Sequence, residues 1–298
     1  MRYTNICVFG EVLFDHFPDG HRVLGGAPFN VAWHLNAFGE TPHLRSALGD
    51  DAEAEEIRSA MIDWGMDLSG VLIDPGHPTG QVTVSLQDGE PSYDIVPDCA
   101  YDHIPEVRTV LHCDLLYHGT LALRSPQSAA ALDYLRNNSP QQVFMDVNLR
   151  NPWWERVQVL GLMDHADWVK LNRDELDLLA PEGAGGDLAA KAAALKAAHG
   201  LTGLVVTLGA EGAMGLVGEE APVRISPAAE VEVVDAVGAG DAFASVLILG
   251  IIRGWGLATT LERAQAFASR IVGQPGATAA DPALYEPFID RWGLAPAE

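Results

Sequence analysis

Lysine is nearly missing from this chain. Only three of its 18 basic residues are lysines (Lys170, Lys191 and Lys196), against 41 acidic residues and a formal net charge of −23. So acidic a surface repels nucleic acid and anionic membranes, which excludes both as partners. An anionic ligand must then be held locally, by backbone N–H groups, a helix end or a metal ion. Cysteine is equally scarce. Cys7, Cys99 and Cys113 lie far apart and form no CxxC, so buried thiols are expected rather than a disulfide framework or a zinc site. No apolar run is long enough to cross a bilayer. The first twenty residues carry Glu11, Asp15 and Asp19 and lack the basic-then-apolar order of a signal peptide, which predicts a cytoplasmic location. Several catalytic signatures are also missing: there is no GxSxG, no HExxH or other ligand spacing among ten histidines, and no Walker G-x-x-x-x-G-K-[ST].

What is present reads as one α/β domain over 1–298, with 48% hydrophobic and 20% charged residues. "NICVFGEVLFD" (5–15) reads as a buried strand with an acid at its exit, and "GGAPFNVAWHLNAFGE" (25–40) as a glycine turn followed by a helix. "TGQVTVSLQDGEPSYDIV" (79–96) alternates Val82, Val84 and Leu86 with polar residues and turns at Asp88-Gly89, a β-hairpin pattern with Pro91 marking an edge strand. This ribbon interrupts a βα chain, which predicts a separate small sheet acting as a lid, formed by about 12–25 and 79–103. From about residue 111 strands and helices alternate: strands at 113–119, 142–148, 166–172, 203–209 and 231–236, and helices at 126–137, 187–200, 240–254, 260–273 and 283–293. Such alternation predicts a mostly parallel sheet with helices on both faces.

The stretch with the clearest chemistry is "VVDAVGAGDAFAS" (233–245). Gly238, Ala239 and Gly240 present bare backbone amides where a helix begins, an arrangement that binds phosphate. Asp241 follows. A lone acid in a first turn ordinarily just complements the helix dipole. Beside a phosphate site it costs repulsion, which a general base taking a proton from an attacking hydroxyl would repay. The Rossmann fingerprint fails here, because Phe243 stands where Gly or Ala is needed.

"DAVGAGDAF" (235–243) resembles the C-terminal signature of the ribokinase-like, PfkB-type carbohydrate kinases, and "GGAPFN" (25–30) their N-terminal glycine signature. "DVNLR" (146–150), "KLNRDE" (170–175), "VTLGAEG" (206–212) and "GQPGAT" (273–278) resemble further family segments, and "GEVLFD", "LALRSP", "DVNLRNPWW" and the lid segment "YDIVPDCAYDHI" are most similar to fructokinases. The resemblance implies a ribokinase-like α/β fold with a β lid and ATP with Mg²⁺ as phosphate donor. It implies Asp241 as base and the 238–241 backbone as the hole for the transferred phosphoryl group. Asp15, Gly25, Gly26 and Asn30 would hold sugar hydroxyls. Asn172 and Glu175 would order magnesium and its waters. Lys170, Thr207, Gly209 and Gly212 would lie on the nucleotide side, with Gly276 and Ala277 near the base. A K⁺ ion would sit near the loop beginning at Asp235. Ala236 stands where the family has Thr, which weakens that last assignment.

Other residues carry weaker signals. Arg150, just past a strand end in a chain poor in cations, is read as a phosphate or substrate contact. Around the sugar-side segments only Arg22 is basic, so an unphosphorylated sugar is expected, fructose first, phosphorylated at its 6-hydroxyl. The alternatives are a 2-keto-3-deoxygluconate kinase, a nucleoside kinase, or a sugar-binding regulatory protein without turnover. The outer face of a small lid sheet would suit a homodimer, which nothing in the sequence compels.

Overall fold

The computed structural model describes residues 5–87, 90–107, 112–138, 140–227 and 233–294. In chain order the elements are β1 (Ile6–Phe9), β2 (Leu13–His16), β3 (Arg22–Gly25), α1 (Ala27–Ala37), β4 (His43–Gly49), α2 (Ala52–Asp63) and β5 (Val71–Asp74). Then come β6 (Gly80–Gln87), β7 (Glu90–Ile95), β8 (Cys113–His118), α3 (Pro126–Asn138), β9 (Pro140–Asp146), α4 (Arg156–Met163), β10 (Trp168–Asn172), α5 (Arg173–Leu179) and α6 (Leu188–Ala198). The chain closes with β11 (Gly203–Thr207), β12 (Ala213–Val217), β13 (Val223–Ile225), α7 (Ala239–Arg253), α8 (Leu257–Ile271) and α9 (Pro282–Trp292).

Nine strands form one sheet in the order β13-β12-β11-β10-β9-β8-β1-β4-β5. Its pairings are parallel except at β12, which runs against both β11 and β13. Strand periodicity sorts the core into two faces. Ile6 and Val8 of β1 pack into the layer holding α1, α7, α8 and α9, whereas Cys7 and Phe9 pack into the opposite layer with α3. The second face continues under α4, α5 and α6. Both faces are covered, so β1 is apolar at every position, as a doubly covered parallel strand must be. Helix α7 is buried along its length from Ala242 to Gly250, which explains why its sequence is apolar all round.

Four further strands form a separate small sheet in the order β3-β2-β6-β7. Val82 and Val84 are buried while Thr83 and Ser85 are exposed, as the alternation requires, and β7 is an edge. The turn at Asp88-Gly89 lies outside the described residues. The segment 5–15 is two strands rather than one. The chain leaves β1 at Gly10 and crosses from the large sheet to the small one before Leu13. Nor does a strand run to residue 236: 233–236 is irregular, and 231 and 232 lie outside the described residues. Asp235 there turns back on itself, its carboxylate accepting from the Val237 amide at 2.9 Å, a local bond that competes with strand pairing.

Candidate active site

The large sheet runs outward from β1 in both directions, to β4 and β5 on one side and from β8 to β13 on the other. The crevice beyond the carboxyl ends of strands at such a reversal is where open α/β sheets bind ligands. Here it is bordered by the crossover from β1, the start of α1 and the start of α7.

Helix α7 opens at Gly238, which caps it in a left-handed conformation (φ 78°). A Cβ at that position would lie 2.3 Å from the Ala277 Cβ, so only glycine fits. The amides of Gly240 and Asp241 meet no acceptor among the described residues. The Lys170 ammonium lies 3.5 Å from where a Gly240 Cβ would stand, directly behind that turn. Lys170 is itself buried and bound by both oxygens of Asp146, at 2.9 and 2.8 Å. Burial alone would pull its pKa down, but the Asp146 carboxylate outweighs it, and Lys170 stays charged. A cation thus lies beside the open amides.

Asp241 is half-buried and accepts a 2.8 Å hydrogen bond from the Asn30 side-chain amide. Burial pushes its carboxyl up to about 6; the Asn30 bond opposes the shift, Asp146 adds to it, and Lys170 and Arg150 oppose it. Asn30 is buried, and its carbonyl oxygen has no partner. Helix α1 can place it there because Gly26 caps the helix at φ 109°, where a Cβ would strike the Glu11 carbonyl at 2.6 Å. Gly25 marks the centre of the cleft: a Cβ on it would lie 3.8 Å from Asp15 Oδ2 and 4.0 Å from Asn30 Oδ1. Burial also raises Asp15 to about 6, with Arg150 pulling it down.

Two further acids at this corner escape sequence reasoning. Glu11 is 3% exposed and its Oε2 has no partner. Burial pushes its carboxyl up to about 7, against the pull of backbone amides and Arg150 and with a push from Asp241. Asp146 holds Lys170 and receives a long 3.4 Å bond from the Tyr117 hydroxyl. Arg150 is exposed, and its guanidinium acts on Glu11, Asp15 and Asp241 together. Arg22, the other cation expected near the sugar side, is taken up by Glu53 and Glu56 of α2 at 3.0 and 2.8 Å.

A cavity of about 780 Å³ opens beside this corner, lined by Thr207, Gly209, Gly212, Ala236, Gly240 and Gln265 among others. Its size suits a ligand as large as a nucleotide. Gly276 and Ala277 are absent from its lining. They pack against the turn that opens α7. The Gly276 amide donates to Asp235 at 3.0 Å, Ala277 packs against Gly238, and the Ala277 carbonyl meets His34 Nε2 at 3.1 Å. Burial pushes His34 down to about 3, so its ring is neutral and Nε2 must be the donor. Asn172 and Glu175 form a capping box on α5, with bonds of 2.9 and 2.8 Å, and Glu175 Oε1 also accepts from the Leu149 amide at 2.8 Å. Both Glu175 oxygens are therefore engaged by backbone.

Known proteins resemble this chain in sequence and in fold. A family model described as pfkB family carbohydrate kinase matches residues 3–284. The fructokinase of Escherichia coli is 29% identical over 266 residues, 83% of this chain and 84% of that protein. Among solved structures, a Xylella fastidiosa fructokinase with bound ATP superposes with a TM-score of 0.81 at 22% identity, covering 98% of this chain and 99% of that one. A Vibrio cholerae O395 fructokinase with fructose, ADP and calcium ion bound gives 0.78 at 24% identity, covering 95% and 98%.

Proposed function

This chain belongs to the pfkB family of carbohydrate kinases, and from that premise we propose that it transfers the γ-phosphoryl group of ATP to the primary 6-hydroxyl of unphosphorylated fructose. The observation that carries the reading is the pairing of Asp241 with two buried, unpartnered acceptors, Asn30 Oδ1 and Glu11 Oε2, at the mouth of an open helix end. A buried acceptor without a donor is costly, and a ligand rich in hydroxyls supplies the missing donors. A sugar already carrying a phosphate would face Asp15, Glu11 and Asp241 with Arg22 occupied elsewhere.

In this reading Asp15, Asn30 and Glu11 orient the sugar, and Gly25 and Gly26 leave room for it. Asp241 takes the proton from the attacking hydroxyl; a carboxylate titrating near 6 is ionised at neutral pH yet more basic than an ordinary aspartate. The amides from Gly238 to Asp241 and the Lys170 ammonium receive charge on the moving phosphoryl group, without a covalent intermediate. The cavity beside Thr207, Gly209 and Gly212 takes the nucleotide, with Gly276 and Ala277 near its base. Mg²⁺, when bound, neutralises phosphate charge. Asn172 and Glu175 fit a water-bridged role toward it, since both Glu175 oxygens already accept amides. Asp235, which clasps Val237 and Gly276, is the side chain that would hold K⁺. The small sheet closes over the sugar as a lid, which keeps water from the phosphoryl group.

Arg150 favours a second reading, a kinase of a sugar acid such as 2-keto-3-deoxygluconate, because its charge acts on Glu11, Asp15 and Asp241 while among the described residues its guanidinium donates only to the Leu149 carbonyl. ADP release with MgATP and a panel of fructose, ribose, 2-keto-3-deoxygluconate and adenosine separates these. Fructose is expected to give the highest kcat/KM. Preference for the sugar acid, lost on Arg150→Met, would establish the second reading, and no turnover of any sugar would reject both.

A further inference from the structure

The ten histidines carry no metal-binding spacing along the chain. Three-dimensional structure nevertheless brings two of them together. His77, just before β6, and His103, at the end of a short helical turn (Ala100–His103), stack face to face with ring centroids 3.5 Å apart. Asp98, just after β7, lies between their edges. Its Oδ1 is 2.8 Å from His103 Nε2 and 3.7 Å from His77 Nε2.

The outer nitrogens of both rings are fixed as donors. Asp74 Oδ2 lies 2.8 Å from His77 Nδ1, and a carboxylate can only accept. Gln127 donates its amide nitrogen to the His103 carbonyl at 2.9 Å, which turns its oxygen toward His103 Nδ1 at 3.3 Å. Each neutral ring therefore carries its lone pair on Nε2, and both lone pairs point at a carboxylate oxygen. With both rings neutral, three acceptors converge with no hydrogen among them. A proton on His103 Nε2 satisfies only the 2.8 Å contact and leaves the His77 lone pair facing the carboxylate at 3.7 Å. A single divalent ion serves both rings and the carboxylate at once.

We propose that His77, His103 and Asp98 form a site for a divalent transition metal of the Zn²⁺ class. The ligand atoms already lie within 4.8 Å of one another. Two imidazoles and a carboxylate suit Zn²⁺, Co²⁺ or Ni²⁺ rather than Mg²⁺, with water completing the shell. Asp74 and Gln127 on the far nitrogens are the outer partners that metal-bound histidines usually have. The rings must fan apart from their stack to aim both lone pairs at one ion. Because His77 and Asp98 lie on the two segments that lead into and out of the β6–β7 hairpin, the ion ties the base of the small sheet to the body near α3.

Co²⁺ alone, added to the chelator-treated full chain, tests this by visible absorption and calorimetry. One equivalent is expected to bind with the intense d–d bands of a four-coordinate site, and Zn²⁺ is expected to displace it. His77→Ala and His103→Ala should each weaken binding at least about tenfold, and Asp74→Asn about 10- to 100-fold. Binding should weaken as pH falls, since protons compete for the same nitrogens. Far-ultraviolet circular dichroism of each variant checks that it folds, and His77→Asn with His103→Gln serves as a milder pair. Absence of the bands in the wild type, or equal Co²⁺ binding in the folded double variant, overturns the site.

Discussion

Glu11→Gln is expected to make the protein more stable and the enzyme worse. Glu11 is buried, one of its oxygens has no partner, and its carboxyl titrates near 7 in place of 4.5. A shift of that size corresponds to about 3 kcal/mol of differential interaction between the two protonation states. Its sign follows from linkage. The folded-state pKa lies above the unfolded value, so Glu11's contribution is fully present below pH 4.5 and is lost as pH rises through 7. Above that, the native state carries a charge it would rather not hold. Glutamine keeps the shape and removes the charge. Urea denaturation of both proteins at pH 4.5 and pH 8 measures the difference. The variant should gain up to about 3 kcal/mol over the wild type at pH 8, and little at pH 4.5. In the same variant KM for fructose should rise, because an ionised acceptor is lost from the sugar site. A variant equally destabilised at both pH values, with unchanged KM, would refute the reasoning.

Arg150→Met should shift the acid limb of kcat/KM to higher pH, because Glu11, Asp15 and Asp241 all lose the cation that lowers them; an unmoved limb in a pH–rate series would remove Arg150 from the cleft. In the wild type kcat/KM should begin to fall below about pH 7, where Glu11 titrates, and fall more steeply than one proton below about pH 6, where Asp241 and Asp15 follow; a flat profile to pH 5 would contradict their ionised roles. Gly238→Ala should cost roughly 1–3 kcal/mol in chemical denaturation and most of kcat, because the residue is left-handed and pressed against Ala277. Sugar binding should slow amide exchange in β6 and β7, and identical exchange with and without fructose would refute lid closure.

The burial of β1 was legible in its unbroken apolar run, and the small separate sheet in its alternation. So was the turn at Gly238, because bare glycines before a helix have few other uses. Asn30, Asp15 and Gly25 were legible as parts of a motif, and the structure brings them together. Glu11 was not. In the sequence it sits inside an apolar run that reads as one strand, and its burial depends on the break at Gly10 that sends the chain to a second sheet. Asp146 was hidden for a similar reason: its partner Lys170 comes from the neighbouring strand β10. The packing of Ala277 against Gly238 depends on a loop that no local pattern encodes. The histidine cluster likewise joins three separate segments.

The central claim is that Asp241 takes the hydroxyl proton while the start of α7 holds the phosphoryl group. Steady-state kinetics of Asp241→Asn with fructose and MgATP tests it most directly. The account predicts a fall in kcat of about 10²- to 10⁴-fold or more, with KM for fructose changed far less. A variant that keeps its kcat while KM rises would show that Asp241 only binds sugar, and the account would be wrong.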